Sequence, residues 1–320
     1  MKRAIGAALV VLMSGTVAFA QRPSDPALLV PQNAAPLDYV AVANPLTLPE
    51  GTTIGASASV AFDAKGHLWV LNRGPQPLAE FDADGKFIRA FGEGLFMRTH
   101  GLRIDRDGNI WVTDVGAHYV AKMSPDGKVL MTLGTKGEQG EWNEAAGSRR
   151  LNEPNDVIVA ANGDIFIAQG HTPGAKGDPR VLKFDKTGKF ITSWGGKGKE
   201  PGKFDVAHGI AIDAKGLLWV TDRENQRIQV FDDKGMFVRE VKVAGLPCGL
   251  DVGKDAIFMV NGFAGQVVKL DLQGNVQAVV GKAGNGVGEF GEAHFIAVSP
   301  KGDLWVADSV NRAVQKFVRK

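Results

Sequence analysis

Six copies of one short pattern run through this chain, and they limit its fold more than any other feature. Each copy opens on a small apolar stretch: ASVAFD from Ala58, HGLRID from His100, NDVIVA from Asn155, HGIAID from His208, CGLDVG from Cys248 and HFIAVS from His294. In five of the six a Gly-bearing turn follows, such as Arg106-Asp-Gly or Ala214-Lys-Gly, and in all six a second apolar stretch comes next, with Leu-Trp-Val at Leu68, Leu218 and Leu304. Third and fourth stretches complete the unit, as in RIQVF from Arg227 and FITSW from Phe190. Branched and aromatic residues bounded by Gly and Asp turns specify strands, and no long stretch has helical periodicity. Four short strands per unit, with the units roughly 40 to 55 residues apart, mark an all-β fold, a six-bladed β-propeller. The 41 glycines suit so many tight turns. The last copy runs out after VQKF at Val314, so the segment Tyr39-Val-Ala-Val42 is expected to supply its outer strand and close the ring.

The repeat converts sequence register into geometry. His100, His208 and His294 open copies two, four and six. In a six-membered ring these copies stand about a third of a turn apart, so three imidazoles converge on the axis. Three nitrogen donors with a fourth position open is a catalytic metal arrangement, and imidazole suits zinc, with iron, nickel and copper as the other metals to consider. The bland reading is hydrogen-bonded histidines lining an axial channel. Matching register at alternate copies favours the metal. Asn155 and Cys248 share the ring position and are read as channel lining, with thiolate coordination by Cys248 left open.

The start of strand one and the end of strand two lie on one face of a propeller. Arg73 and Arg223 follow strand two in copies one and four, across the ring from each other. A guanidinium there is either a planar clamp for a carboxylate or carbonyl beside the metal, or the partner of a neighbouring acid such as Asp222 or Glu224. His118 and His171 lie in loops on the same face, whereas His67 lies at the opposite turn.

The N-terminus has Lys2-Arg3, an apolar run to Phe19 and a small-x-small site at Ala18–Ala20. This is the layout of a signal peptide over residues 1–20 and implies an exported protein, periplasmic or extracellular, with no membrane span after cleavage. Residues 21–37 are expected to form a flexible leader and residues 38–320 the propeller. A formal charge of +2 and the lack of basic clusters argue against a nucleic-acid partner. A single cysteine, Cys248, excludes an internal disulfide.

The stretches from His100 to His118 and from His208 to Gln229, with the Asn72-Arg-Gly74 turn and His294, resemble NHL-repeat propellers and, more narrowly, the peptidyl-α-hydroxyglycine α-amidating lyase family. The similarity runs from about residue 50 to residue 318. It implies a catalytic zinc on His100, His208 and His294, with Arg73 and Arg223 contacting substrate. The implied reaction cleaves the N–Cα bond of a C-terminal α-hydroxyglycine, giving a peptide amide and glyoxylate. The substrate would be a small peptide or N-acyl carbinolamide. Two positions depart from the family. Its proposed tyrosine base is missing from the 169–177 loop, where His171 is the group able to act as base near neutral pH. Phe295 stands where the family has an aspartate that helps bind a structural calcium, so calcium does not carry over with the resemblance. The departures leave two other readings open: a metal-dependent hydrolase of a lactone or ester, and a non-catalytic propeller that binds a protein partner or a glycan.

Overall fold

The computed structural model describes residues 22–173, 178–311 and 313–320. The signal peptide expected at residues 1–20 lies outside them. Six four-stranded antiparallel units form the ring, and in the first five the strand order follows chain order outward from the axis. Their inner strands are Ser57–Phe62, Thr99–Ile104, Pro154–Val159, Ala207–Ile212, Pro247–Val252 and Ala293–Val298, each touching its neighbours around the axis. The outer strand of the sixth blade is Tyr39–Val42, which pairs antiparallel with Ala313–Arg319. The N-terminal closure expected from the sequence is therefore present, and the last blade has no unpaired strand at that edge.

The turn chemistry explains the repeat. Asp63, Asp105 and Asp213 end the inner strand, and each accepts two backbone N–H groups of the following hairpin through Oδ1. The turn glycines Gly66, Gly108 and Gly216 sit at φ +79°, +80° and +79°, where a side chain would be strained. The second carboxylate oxygen accepts the indole N–H of the tryptophan six residues on, at 3.3, 2.9 and 3.0 Å. Where Ala160 and Gly253 replace the aspartate, Phe166 and Phe258 replace the tryptophan. A buried N–H needs an acceptor, so in these two blades donor and acceptor are lost together, while blade six keeps Trp305 beside Ser299.

Between adjacent blades lie separate apolar clusters. Trp69, Leu71 and Leu78 of blade one pack on Leu102, Ile110 and Val112 of blade two. The last and first blades pack in the same manner through Trp305, Ala307, Val60 and Val70. Residues 22–37, expected to be a flexible leader, make specific contacts instead. Pro26–Leu29 forms a 3-10 turn, Gln32 bonds to Gln266 and Ala244, and Ala35–Pro36 adds a parallel strand to the edge of blade five. The physical reason is the unpaired edge of Val276–Val280, which offers a carbonyl row to Leu37 N–H at 2.7 Å from Val279 O.

Tyr39 anchors the closure: its ring is buried, its hydroxyl donates to Gly302 O at 2.9 Å, and Arg319 Nε donates to it at 3.0 Å. Tyr39→Ala is expected to destabilise the protein by about 3 kcal/mol, read as a lower urea midpoint. An unchanged midpoint would show that the closing strand contributes little.

Candidate metal centre

Every inner strand carries a register shift at its first residues, and in three blades the shift contains the histidine: Thr99/Leu102, Ala207/Ile210 and Ala293/Phe295. An irregularity of this kind turns a side chain away from the alternating pattern. Here it aims the imidazoles at the axis. The ring centroids of His100, His208 and His294 stand 4.7, 4.6 and 5.1 Å apart, and all three rings are buried.

The blades also set the tautomers. His100 Nδ1 lies 2.7 Å from the carbonyl of Asn155, and His294 Nδ1 lies 2.6 Å from that of Ala58. In each case the carbonyl belongs to the residue at the same register in the next blade. A carbonyl can only accept, so the proton is on Nδ1 and the Nε2 lone pair is free. The equivalent carbonyl for His208 is that of Cys248. It accepts from Thr221 Oγ1 at 2.7 Å and raises the His208 pKa, but neither His208 nitrogen has a hydrogen-bond partner.

Burial lowers the pKa of all three histidines well below the ordinary value, and neighbouring charge lowers it further, from the other histidines at His100, from Arg223 and then His294 at His208, and from Arg73 at His294. They are neutral near pH 7, as ligands must be. His100 Nε2 and both nitrogens of His208 are buried without partners. Orphaned, neutral, convergent nitrogens fit a divalent metal that accepts imidazole.

Above the histidines is a cavity of about 370 Å³. Arg73, Arg98, Arg223, Glu224, Glu292, His171 and His294 line it, and Pro23, Ser24, Asp25 and Leu28 of the N-terminal segment lie along it. Arg73 has Nε on Thr99 O at 3.3 Å and a buried Nη1 with no partner. Burial, then Arg98, lowers its pKa to about 10, so it remains charged at pH 7. Arg223 is held by Glu224 Oε1 through Nε at 2.9 Å and Nη2 at 2.7 Å. Burial is the largest single influence and would lower its pKa, but the Glu224 charge and hydrogen bond together with the other nearby acidic groups, Glu292 among them, outweigh it, so the net direction is upward. The two readings of Arg223 coexist: it is paired with the acid beside it and it faces the cavity.

Sequence reasoning missed Arg98 and Glu292. Each stands two residues before a register histidine, a spacing that could have revealed them. Each is fixed by the carboxylate ending strand two of its blade: Asp114 accepts from Arg98 N at 2.9 Å, and Asp308 from Glu292 N at 3.2 Å. Glu292 also accepts from the Ser309 hydroxyl. His118 accepts the Glu153 N–H at 3.2 Å, and His67 pairs with Glu80 away from the cavity. Asn155 Nδ2 donates to Ala207 O at 2.8 Å. Burial raises the Cys248 thiol pKa and keeps the thiol protonated within the core between blades five and six. Below the histidines, the buried Phe295 ring lies 5.6 Å from His100 and His208 and 5.0 Å from His294. Beneath it, Arg103 bridges Asp156 and the carbonyl of Ile210 at 2.5 and 3.0 Å.

With this geometry in hand, comparison with known proteins places the chain. The family model for the NHL repeat matches residues 204–231 and 290–317, two windows that contain His208 and His294. The chain is a six-bladed NHL-repeat β-propeller resembling the peptidyl-α-hydroxyglycine α-amidating lyases. Over 82% of its length it is 32% identical to mouse peptidyl-glycine alpha-amidating monooxygenase, of which it covers 30%. Over 54% it is 36% identical to the probable peptidyl-alpha-hydroxyglycine alpha-amidating lyase pgal-1 of Caenorhabditis elegans, of which it covers 51%. Thus the chain spans between about a third and a half of these relatives. A gluconolactonase from Xanthomonas campestris has the same fold, with a TM-score of 0.63 and 17% identity over 90% of this chain and 98% of that one. Among the described residues no helix is long and apolar enough to cross a membrane.

The buried histidines set a pH dependence. Their folded pKa lies below the unfolded value of 6.5, so the unfolded chain binds more protons as pH falls through 6.5. Metal-free protein is expected to be most stable above that pH. Below it, stability should fall by up to about 1.4 kcal/mol per pH unit for each histidine that stays neutral. Urea unfolding at pH 7, 6 and 5 measures the slope, and a flat profile would show that the histidines protonate in the folded state.

Proposed function

We propose that this chain is an exported zinc-dependent lyase of the amidating type, acting on peptides or related N-acyl compounds that end in α-hydroxyglycine. The observation that carries the reading is the convergence of three neutral, buried imidazoles beneath a cavity lined by three guanidinium groups. The similarity to amidating lyases supports the reaction class. Export rests on the leader pattern of residues 1–20.

The reaction is a balanced elimination. The α-hydroxyl gives up its proton, its oxygen forms the carbonyl of glyoxylate, the N–Cα bond breaks, and the amide nitrogen takes a proton. His100, His208 and His294 would hold the zinc, which as a Lewis acid lowers the pKa of the hydroxyl. Arg73, Arg98 and Arg223 suit the terminal carboxylate, because guanidinium presents a fork of donors to it. The orphaned Arg73 Nη1 is a donor free for this task. His171, kept neutral by burial, is the side chain of the cavity able to take the hydroxyl proton and return one to the leaving nitrogen. Glu224 and Glu292 offset two of the three positive charges, which lets three arginines gather at the cavity. Calcium forms no part of this proposal.

His208→Ala is expected to remove the metal and abolish glyoxylate release. Arg73→Ala should lower kcat/KM by about 10- to 100-fold, with zinc content unchanged. Full glyoxylate release by His208→Ala would remove the lyase reading. Lactone turnover without glyoxylate would favour the hydrolase suggested by the loop that lacks tyrosine. Folded, metal-free wild-type protein would favour a binding propeller.

A further inference from the structure

His171 stands closer to the metal centre than a base alone needs. One nitrogen each of His100, His171 and His208 lies within 4.8 Å of the others. The His171 ring centroid is 4.8 Å from that of His100 and 5.9 Å from that of His208. Two nitrogens on one tetrahedral zinc are about 3.4 Å apart, given bonds of 2.0–2.1 Å. Side-chain rotation of about an ångström would bring this set to bonding distance.

The backbone around His171 is anchored. Gly170 N–H donates to the carbonyls of Asn152 and Glu153 at 2.9 and 3.0 Å. On the other side, Thr172 N and Oγ1 donate to the two carboxylate oxygens of Glu153 at 2.7 and 2.9 Å. Glu153 thus grips the residues on both sides of His171 and holds the ring over the register histidines. Glu153 itself sits at φ +52°, a conformation unusual for a residue with a side chain. Among the described residues, no hydrogen bond satisfies the His171 ring. An unpartnered imidazole so placed has a nitrogen to give.

We propose that His171 is a fourth nitrogen ligand in the resting protein, a reading that rests on the metal centre described above. The three register histidines come from inner strands fixed on both sides by neighbouring blades. The fourth comes from a loop. The strand ligands are permanent and the loop ligand is exchangeable. Substrate oxygen would replace it, and the released imidazole would lie beside the hydroxyl it must deprotonate.

X-ray absorption on zinc-loaded wild-type protein, His171→Ala and His171→Gln tests this by counting imidazole ligands. Four in the wild type and three in both variants is the expected result. Zinc affinity measured against a chelator should fall about 10- to 100-fold in the variants. The cobalt-substituted wild-type protein should differ from both variants in its visible spectrum. Three imidazoles in all three proteins, with equal affinity, would overturn the proposal and leave the three-histidine site standing. No metal in any of them, with the fold intact, would overturn both.

Discussion

The contact on which the site depends is the bond from a ring Nδ1 in one blade to a main-chain carbonyl in the next. It ties His100 to Asn155 and His294 to Ala58. Each bond crosses a blade boundary, so the direction of an imidazole depends on how two sheets pack. The packing depends in turn on the apolar clusters between blades and on the closing strand at Tyr39–Val42. Ring, tautomer and lone-pair direction are therefore one mechanical system. The bond from His294 to Ala58 bridges the last blade and the first, the junction that the closing strand secures.

Much of this was legible in the sequence because a repeat is a coordinate system. Once the six copies were in register, the histidines had to converge and Tyr39–Val42 had to serve as the missing strand. Arg73, Arg223 and His171 also reach the cavity as the topology requires. What the repeat could not supply are features that belong to one copy only. Arg98 precedes its strand and has no basic counterpart in the other copies, and Glu292 is matched only by Glu153 of copy three, which is turned to the His171 loop instead. The path of residues 22–37 depends on an unpaired edge and on Gln226, Gln266 and Asn261, which become neighbours only after the ring has closed. The approach of His171 to His100 and His208 is set by Glu153, and no spacing rule connects these residues.

Blades divide the labour. Two, four and six carry the register histidines, while Ala58, Asn155 and Cys248 hold the same position in blades one, three and five. Two of these alternate residues supply the main-chain carbonyls that accept from the histidines, a task that does not depend on the side chain. In the same way, an aspartate accepts the Trp N–H in blades one, two and four, and Phe stands in blades three and five where that aspartate is missing; blade six keeps Trp305 beside Ser299. Both patterns show local substitutions obeying one rule, that buried polar atoms come in satisfied pairs. The orphaned imidazole nitrogens at the axis are among the departures from that rule, and they fall where the chemistry is expected.

Phe295 and the Arg103–Asp156 pair have a consequence for the shape of what enters. Phe295 packs against all three imidazoles and Arg103 packs on Phe295, so side chains occupy the axis beside the histidines and act as a floor to whatever enters from the cavity. A shaft with such a floor cannot thread a chain through itself and cannot straddle the middle of one. It admits a polymer only by its tip, and how far the tip descends is decided by the floor. Under the proposed lyase reading, selection of a chain terminus over an interior bond would then come from the depth of the hole, before any charged group at its wall has read what arrived.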